Sequence, residues 1–152
     1  MSVGGVLRVK KYPLAAFCLA LLLLFITGCQ ADDSNLKEEA LAQKRPDSEN
    51  GVTIQTEKAE YPTSIKEVIV EIQNNSNTEY MTGIHVFLEK KVEDTWYKLP
   101  MKAEAFTDQG IIHSPNKLSS LVLNVNDLKY KLTPGEYRAT IGVLAAPFKI
   151  VE

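Results

Sequence analysis

The stretch Leu132-Thr133-Pro134-Gly135-Glu136-Tyr137-Arg138 decides the fold, because it places a turn directly before the start of a strand. Proline presets φ and glycine accepts a positive φ, so Pro134 and Gly135 suit the two central positions of a type II turn. After the turn, apolar and polar residues alternate as in a strand with one buried face. The apolar members of this alternation are Tyr137, Ala139 and Ile141.

The same period of two recurs upstream, between clusters of turn-forming residues such as Asn74–Asn77 and Glu93–Thr95. Met101–Ile112 is the least regular part, where Ala103, Ala105 and Phe106 are expected to face inward. Seven or eight short strands without a convincing helix predict an all-β fold, a two-sheet antiparallel β-sandwich. The inward residues of the upstream strands are expected to be Val52, Ile54, Val68, Val70, Ile72, Ile84, Val86, Leu88, Leu121, Leu123 and Val125.

A tyrosine directly after such a turn resembles the tyrosine corner of immunoglobulin-like (Ig-like) sandwiches, where the hydroxyl bonds to the backbone upstream. Over Val52–Val143 the chain also resembles a family of bacterial Ig-like domains found in small lipoproteins and surface proteins of bacilli and their relatives. That resemblance implies an Ig-like sandwich and an extracytoplasmic setting, but no catalytic residues. The residues that carry it are Tyr61-Pro62, Asn74 with Ser76, Gly83, Phe87-Leu88-Glu89-Lys90, Trp96-Tyr97-Lys98-Leu99-Pro100, Phe106-Thr107-Asp108 and Leu132–Arg138.

The beginning of the chain has the organisation of a signal peptide. A basic start is followed by an apolar run, Leu14–Ile26, that is shorter than the ~20 residues needed to span a bilayer. Ile26-Thr27-Gly28-Cys29 resembles the lipobox of bacterial lipoproteins, in which the cysteine sulfur receives a diacylglyceryl group and becomes the mature N-terminus. The resemblance implies a protein anchored through Cys29 on the extracytoplasmic face of the cell membrane. An uncleaved membrane anchor and ordinary secretion are the alternatives.

Between this cysteine and the patterned domain lies a stretch with no aromatic or β-branched residue, Gln30–Asn50. Its dense charge predicts a flexible linker, because it cannot bury enough apolar surface to offset the entropy of ordering. Asn35 and Glu38 have the spacing of a capping box, which allows a short helix over Leu36–Lys44. We therefore expect a signal peptide at residues 1–28, a lipidated linker at 29–50 and one sandwich domain at 51–152.

Composition excludes several function classes. Removal of the leader leaves 14 Lys and Arg against 19 Asp and Glu, a formal charge of −5, which argues against nucleic-acid binding. Cys18 and Cys29 both precede the domain, so it contains neither a disulfide nor a cysteine metal site. His85 and His113 are the only histidines, and no spacing of known metal geometry surrounds them. We expect no metal and no cofactor.

Few side chains suggest chemistry or recognition. Adjacent residues of a strand point to opposite faces, so His113 and Ser114 are not expected to form a base and nucleophile. The cluster Glu89-Lys90-Lys91 is expected to be solvated. Arg138 is expected to pair with Glu136 or Glu89, and such a pair adds little stability if it is exposed. On the return of the hairpin, Trp96 and Tyr97 are the candidate contacts with a partner, although core anchoring by the inward ring is the default.

The sequence thus predicts a non-enzymatic binding, adaptor or structural module of the cell envelope, with another envelope protein as its partner. The alternative is an inhibitor of an extracellular proteinase, with Met101–Asn116 as the inserted loop. A more distant likeness, through Leu132–Ile141, to an Ig-like intracellular proteinase inhibitor of bacilli prompts this alternative. The leader contradicts an intracellular role, however.

Overall fold

The structure is a computed structural model, and it describes residues 33–152. Eleven strands and two short 3₁₀ turns, Asp33–Asn35 and Val125–Asp127, make up its regular elements. The strands are β1 (Ser48–Glu49), β2 (Val52–Thr56), β3 (Glu60–Pro62), β4 (Glu67–Asn74), β5 (Tyr80–Gly83), β6 (Phe87–Val92), β7 (Thr95–Lys98), β8 (Gly110–His113), β9 (Lys117–Asn124), β10 (Gly135–Ile141) and β11 (Leu144–Val151).

Two sheets form the sandwich. One has the order β1-β2-β4-β9 and the other β3-β11-β10-β6-β7, while β5 and β8 pair separately. Within residues 33–152 the strands pair antiparallel, except that β3 lies parallel to β11. The predicted all-β, Ig-like two-sheet sandwich is therefore confirmed. The count exceeds the predicted seven or eight strands because several pairings are only two to four residues long, too short to show a period in the sequence.

The core is built from the inward faces that the alternation predicted. In β4 the residues Val68, Val70 and Ile72 are fully buried, and their polar neighbours lie outside. Burying side chains of this size contributes about 1.5–3 kcal/mol each. The other sheet supplies the opposite half of the core through Leu88, Tyr137, Ala139, Ile141, Leu144, Ala146, Phe148 and Ile150.

Residues 33–47, here called the N-terminal segment, differ from the predicted flexible linker and short helix. After the 3₁₀ turn the segment runs beside β7, where the Lys98 amide donates to the Glu38 carbonyl and the Ala40 amide to the Trp96 carbonyl. Leu36 joins the hydrophobic core. The segment lacks the apolar pattern of a strand because it is held largely by backbone hydrogen bonds and ion pairs.

The surface of the sheet formed by β6 and β10 is covered rather than solvated. Glu89 of β6 and Arg138 of β10 are directly opposite one another, and both are buried. Arg138 also donates to the carbonyls of Ala42 and Gln43 in the N-terminal segment. The expectation that Glu89-Lys90-Lys91 is a solvated cluster is therefore wrong for Glu89 and Lys90, which are both buried. The expected pairing of Arg138 with Glu89 is present, but as a buried ion pair, because the N-terminal segment covers it and the sequence did not indicate that cover.

Candidate functional site

A cleft of about 670 Å³ lies between the N-terminal segment, β6, β7 and the loop that follows β7. It is larger than three other cavities lined by described residues, which have volumes of about 350 to 440 Å³. Strand β6 gives it a rigid floor, while the loop Lys102–Gln109 is irregular and exposed throughout. Residues that characterise its lining are Lys37, Glu38, Phe87, Met101, Phe106 and Gly142.

An aromatic cluster stands at the mouth of the cleft. The rings of Phe87 and Phe106 meet edge to face with centroids 5.1 Å apart, and His85 packs against Phe106 at 4.9 Å. Each phenylalanine side chain remains 37% exposed. The prediction that Ala103, Ala105 and Phe106 face inward is wrong: both alanines are exposed and Phe106 packs on the outside, because the loop has no strand partner to turn it toward the core.

Charged groups along the cleft are arranged in pairs. Lys98 bonds Glu38 at 2.5 Å, and Arg45 lies 3.8 Å from the Glu89 carboxylate while donating to the Gly142 carbonyl at 2.7 Å. These pairs join the N-terminal segment to the sheet. The cleft therefore combines an apolar aromatic surface with charges of both signs, and a bound molecule would meet both.

Trp96 and Tyr97, the predicted partner contacts, are both half-buried. The Arg138 guanidinium lies 4.3 Å from the centroid of the Trp96 ring, which is a cation–π arrangement, while Tyr97 packs against the core. Tyr97 also forms a backbone bridge with Glu39 of the N-terminal segment. Both residues have intramolecular roles in this structure, and their contact with a partner stays a prediction.

The corner formed by Pro134, Gly135 and Tyr137 shows the bonding that the sequence suggested. The Tyr137 hydroxyl donates to the Thr133 carbonyl at 2.7 Å and accepts from the Thr133 amide at 3.2 Å. Burial raises the pKa of Tyr137 to about 12, so the hydroxyl keeps its proton at neutral pH. The backbone is not the predicted type II turn: Gly135 has φ of 154° and already pairs with Ile150 as the first residue of β10.

Replacing Tyr137 with phenylalanine is expected to lower the free energy of unfolding by about 1–2 kcal/mol. The hydroxyl is buried, and its removal leaves the Thr133 carbonyl and amide without their partner. Urea denaturation of the variant and the parent measures the difference. Tyr97→Phe, at a half-buried tyrosine outside the corner, is the matched control; equal losses in the two variants would contradict a special role for the corner.

Lys90 lies on the core face of its strand, at the same level as Tyr137. Its ammonium group donates to Asp33 Oδ1 at 2.6 Å, to Thr133 Oγ1 at 2.7 Å and to the Tyr130 hydroxyl at 3.1 Å. A lysine buried to this extent needs such partners, since an isolated buried charge is strongly unfavourable. Asp33, the first described residue, is thereby joined to the end of the sandwich that holds the tyrosine corner.

His113 is buried and bonds two hydroxyl groups. Its Nε2 is 2.8 Å from Thr82 Oγ1, which in turn donates to the Gly83 carbonyl, and its Nδ1 is 2.6 Å from Ser119 Oγ. The neutral ring with hydrogen on Nε2 satisfies all these bonds. His113 thus bonds Ser119 rather than Ser114. Its ring nitrogens both bond hydroxyl groups, and neither bonds a carboxylate that would stabilise the charged imidazolium.

The stability of the domain is expected to fall as the pH drops below about 6.5, through His113. Burial lowers the pKa of His113, so the unfolded chain binds a proton more readily than the folded one. The stability contributed by the neutral His113 ring is fully present above the pKa that His113 has in the unfolded chain. It is lost as the pH falls through the lower pKa that His113 has in the folded domain. Unfolding in urea at pH 7.5 and 5.0 measures it, with His113→Gln as control; a parent no more pH-sensitive than that variant would contradict the prediction.

No cluster of three or more metal-ligating side chains occurs within residues 33–152. The same part of the chain contains no helix long and apolar enough to cross a membrane. The predicted signal peptide, the lipobox residues Ile26, Thr27 and Gly28, and the lipidation site Cys29 lie outside the described residues.

Several solved structures match this chain at low similarity. They include a β-glucosidase from Erythrobacter marinus (17% identity, TM-score 0.37) and one from Listeria innocua (12%, 0.35), each matched over 66% of this chain. A Pseudomonas fluorescens alkylpurine DNA glycosylase matches 69% of the chain at 10% identity and TM-score 0.36. The chain spans only 15%, 16% and 32% of these three proteins, respectively. A comparison with curated proteins gives no match.

A family model described as a bacterial Ig-like domain matches residues 48–149, which is most of the chain and begins at β1. The family is generally one of non-catalytic structural or binding modules. The chain belongs to the family of bacterial Ig-like domains.

Proposed function

We propose that this protein is a lipoprotein held on the extracytoplasmic face of the cell membrane through diacylglyceryl-Cys29, and that its Ig-like domain binds another protein of the cell envelope. The anchor is supported by the sequence, in which Ile26-Thr27-Gly28-Cys29 ends an apolar run with a basic start. Two acyl chains give stable attachment, whereas one is marginal. The domain adds a surface for recognition.

The exposed aromatic pair at the cleft carries the binding part of this proposal. Phe87 projects from a paired strand, so its position is fixed before binding, while Phe106 lies on an exposed loop that can adapt. Aromatic side chains that become desolvated at an interface contribute a large share of the binding energy. The charged groups beside them, Lys37 and the Lys98–Glu38 pair, would give the contact a polar rim.

Photo-crosslinking in intact cells tests the binding surface. A photoreactive amino acid replaces Phe106 in one strain and Gln55, on the outer face of the opposite sheet, in another. We expect a discrete crosslinked envelope protein from position 106 and none from position 55, with the adduct lost when Phe87→Ser is added. Identical adduct patterns at both positions, or no adduct at 106 across growth conditions, would overturn the proposed surface.

Replacing Cys29 with alanine is expected to abolish membrane attachment or to leave an uncleaved precursor. Without the sulfur there is no site for the diacylglyceryl group, and the anchor supplies about 0.8 kcal/mol for each buried methylene. Detergent phase partitioning and the mass of the mature N-terminal peptide measure the outcome. Cys18→Ala, in the apolar run, is the control and should behave as the parent does; a Cys29→Ala protein that is cleaved like the parent and still partitions equally into detergent would contradict lipidation.

Inhibition of an extracellular proteinase remains the second candidate, and the exposed loop Lys102–Gln109 favours it. An irregular, accessible loop on a rigid sandwich is a geometry in which a proteinase could bind a substrate-like segment. The exposed loop is shorter than the predicted inserted loop, Met101–Asn116, because Gly110–His113 pairs as β8 and His113 is buried. Unchanged activity of the organism's secreted proteinases in a stoichiometric excess of the domain would eliminate this candidate.

A further inference from the structure

The first described residue marks the end of the sandwich at which the lipid anchor would enter. Three residues separate Cys29 from Asp33. An extended chain spans at most ~3.6 Å per residue, so the two Cα atoms lie no more than about 14 Å apart. Asp33 is held by Lys90 at 2.6 Å and accepts from the Tyr130 hydroxyl at 2.5 Å. A lipid on Cys29 would therefore keep this end of the domain close to the membrane surface.

The chain around Tyr130 presents positive charge at that end. Tyr130 is buried, whereas Lys129 and Lys131 on either side of it are exposed. A third exposed lysine, Lys102, lies next to them, because the Lys129 amide donates to the Pro100 carbonyl and the Lys102 amide to the Asp127 carbonyl. We call Lys102, Lys129 and Lys131 the basic rim. Asp127 and Glu104, each two positions from a lysine of the rim, are the acidic side chains nearest to it in the sequence, so three lysines face two carboxylates there.

We propose that the basic rim rests on the anionic lipid headgroups of the membrane, so that the anchored domain has one preferred orientation. This inference rests on the proposed lipidation of Cys29. The anchor tethers the rim within reach of the lipid phosphates, and contact within about 8 Å, one Debye length, leaves the electrostatic attraction only partly screened. The mature chain as a whole is acidic, with a formal charge of −5. The anionic membrane surface therefore repels the rest of the domain, and this repulsion reinforces the orientation.

The end of the sandwich far from the rim provides an internal comparison. The Val125 amide bonds the Lys66 carbonyl, so β4 begins near the rim. β4 then runs for eight residues, roughly 25 Å, before the turn that contains the exposed Asn77. Processing removes Cys18, and lipidation blocks the Cys29 sulfur. A cysteine introduced at position 126, an exposed asparagine beside the rim, or at position 77 is then the single reactive thiol.

The test uses the lipidated full-length mature protein, carrying Asn126→Cys or Asn77→Cys labelled with a fluorophore, so that all three lysines of the rim remain. Each is reconstituted into vesicles of phosphatidylcholine with roughly 30% phosphatidylglycerol, on the order of a physiological anionic fraction, and a headgroup-attached quencher. We expect quenching at least about threefold greater at position 126 than at 77. The difference should shrink in pure phosphatidylcholine, in 1 M salt and when Lys102→Glu and Lys129→Glu are added.

Failure of the inference and failure of the anchor are distinguishable. Flotation with the vesicles and the mass of the N-terminal peptide report lipidation independently of orientation. A protein that floats and carries the lipid, yet is quenched equally at positions 126 and 77, overturns the docking of the rim and leaves the proposed anchor intact. A protein with a bare Cys29 that does not float overturns the anchor, and the inference with it. Matching urea midpoints for all variants establish that they are folded.

Discussion

Replacing Glu89 with alanine is expected to lower the free energy of unfolding by about 3–5 kcal/mol, because it leaves a buried guanidinium without its counter-ion. Arg138 Nε donates to Glu89 Oε2 at 2.5 Å, and the two side chains are only 5% and 3% exposed. The remaining donors of Arg138 bond neutral carbonyls of Ala42 and Gln43, which do not balance its charge. Urea denaturation monitored by Trp96 fluorescence measures the loss.

A double replacement separates the cost of an unpaired charge from the value of the pair. Removing both charges, with Glu89→Leu and Arg138→Leu, should cost far less than Glu89→Ala alone, since replacing both members of a buried ion pair by apolar groups is often nearly neutral. Lys91→Ala, whose ammonium lies 3.5 Å from the exposed Glu136 carboxylate, is the surface control and should change stability by less than ~1 kcal/mol. A Glu89→Ala loss as small as that of the control would mean that water reaches Arg138.

The alternation of apolar residues made the sandwich predictable. The sequence did not predict that the N-terminal segment covers the outer face of one sheet. Inward residues such as Val70 and Tyr137 recur with period two, and that pattern depends only on neighbours along the chain. Glu89 and Lys90 belong to the same strand, yet one is buried under the N-terminal segment and the other among Asp33 and Tyr130. Their burial depends on residues about 40 to 60 positions away, which no local pattern reports.

The same limit applies to the candidate site. Phe87 and Phe106 were each noted within the resemblance to the Ig-like family, but nothing in the sequence indicated that their rings meet outside the core. Trp96 and Tyr97 were chosen for their residue types, and the structure places both against the N-terminal segment. A sequence signal was present only for Lys90, which falls on the core face of β6 with Leu88, because a charged residue at a core position needs an internal partner. Arg138 falls on the outer face of β10, so its position gave no such signal.

The N-terminal segment is expected to be part of the folded unit, so deleting residues 33–47 should lower the free energy of unfolding by about 3–6 kcal/mol. The deletion removes the buried Leu36, worth about 2 kcal/mol, and takes Asp33 from the buried ammonium of Lys90. A small domain has a total stability of only about 5–15 kcal/mol, so the truncated chain would be marginal. Urea denaturation of chains starting at residue 33 and at residue 48 measures the difference.

Two leucines of the segment give a matched control that remains informative if the truncated chain does not fold. Leu36 is 9% exposed and lies in the core, whereas Leu41, five positions later, is 88% exposed. Leu36→Ala should cost about 2–3 kcal/mol, and Leu41→Ala should leave the urea midpoint unchanged within about 0.5 kcal/mol. If both substitutions are neutral and the chain starting at residue 48 is as stable as the chain starting at residue 33, the segment contributes nothing to folding. It would then be the free linker that its composition suggests, and Lys90 and Arg138 would have to be solvated in its absence.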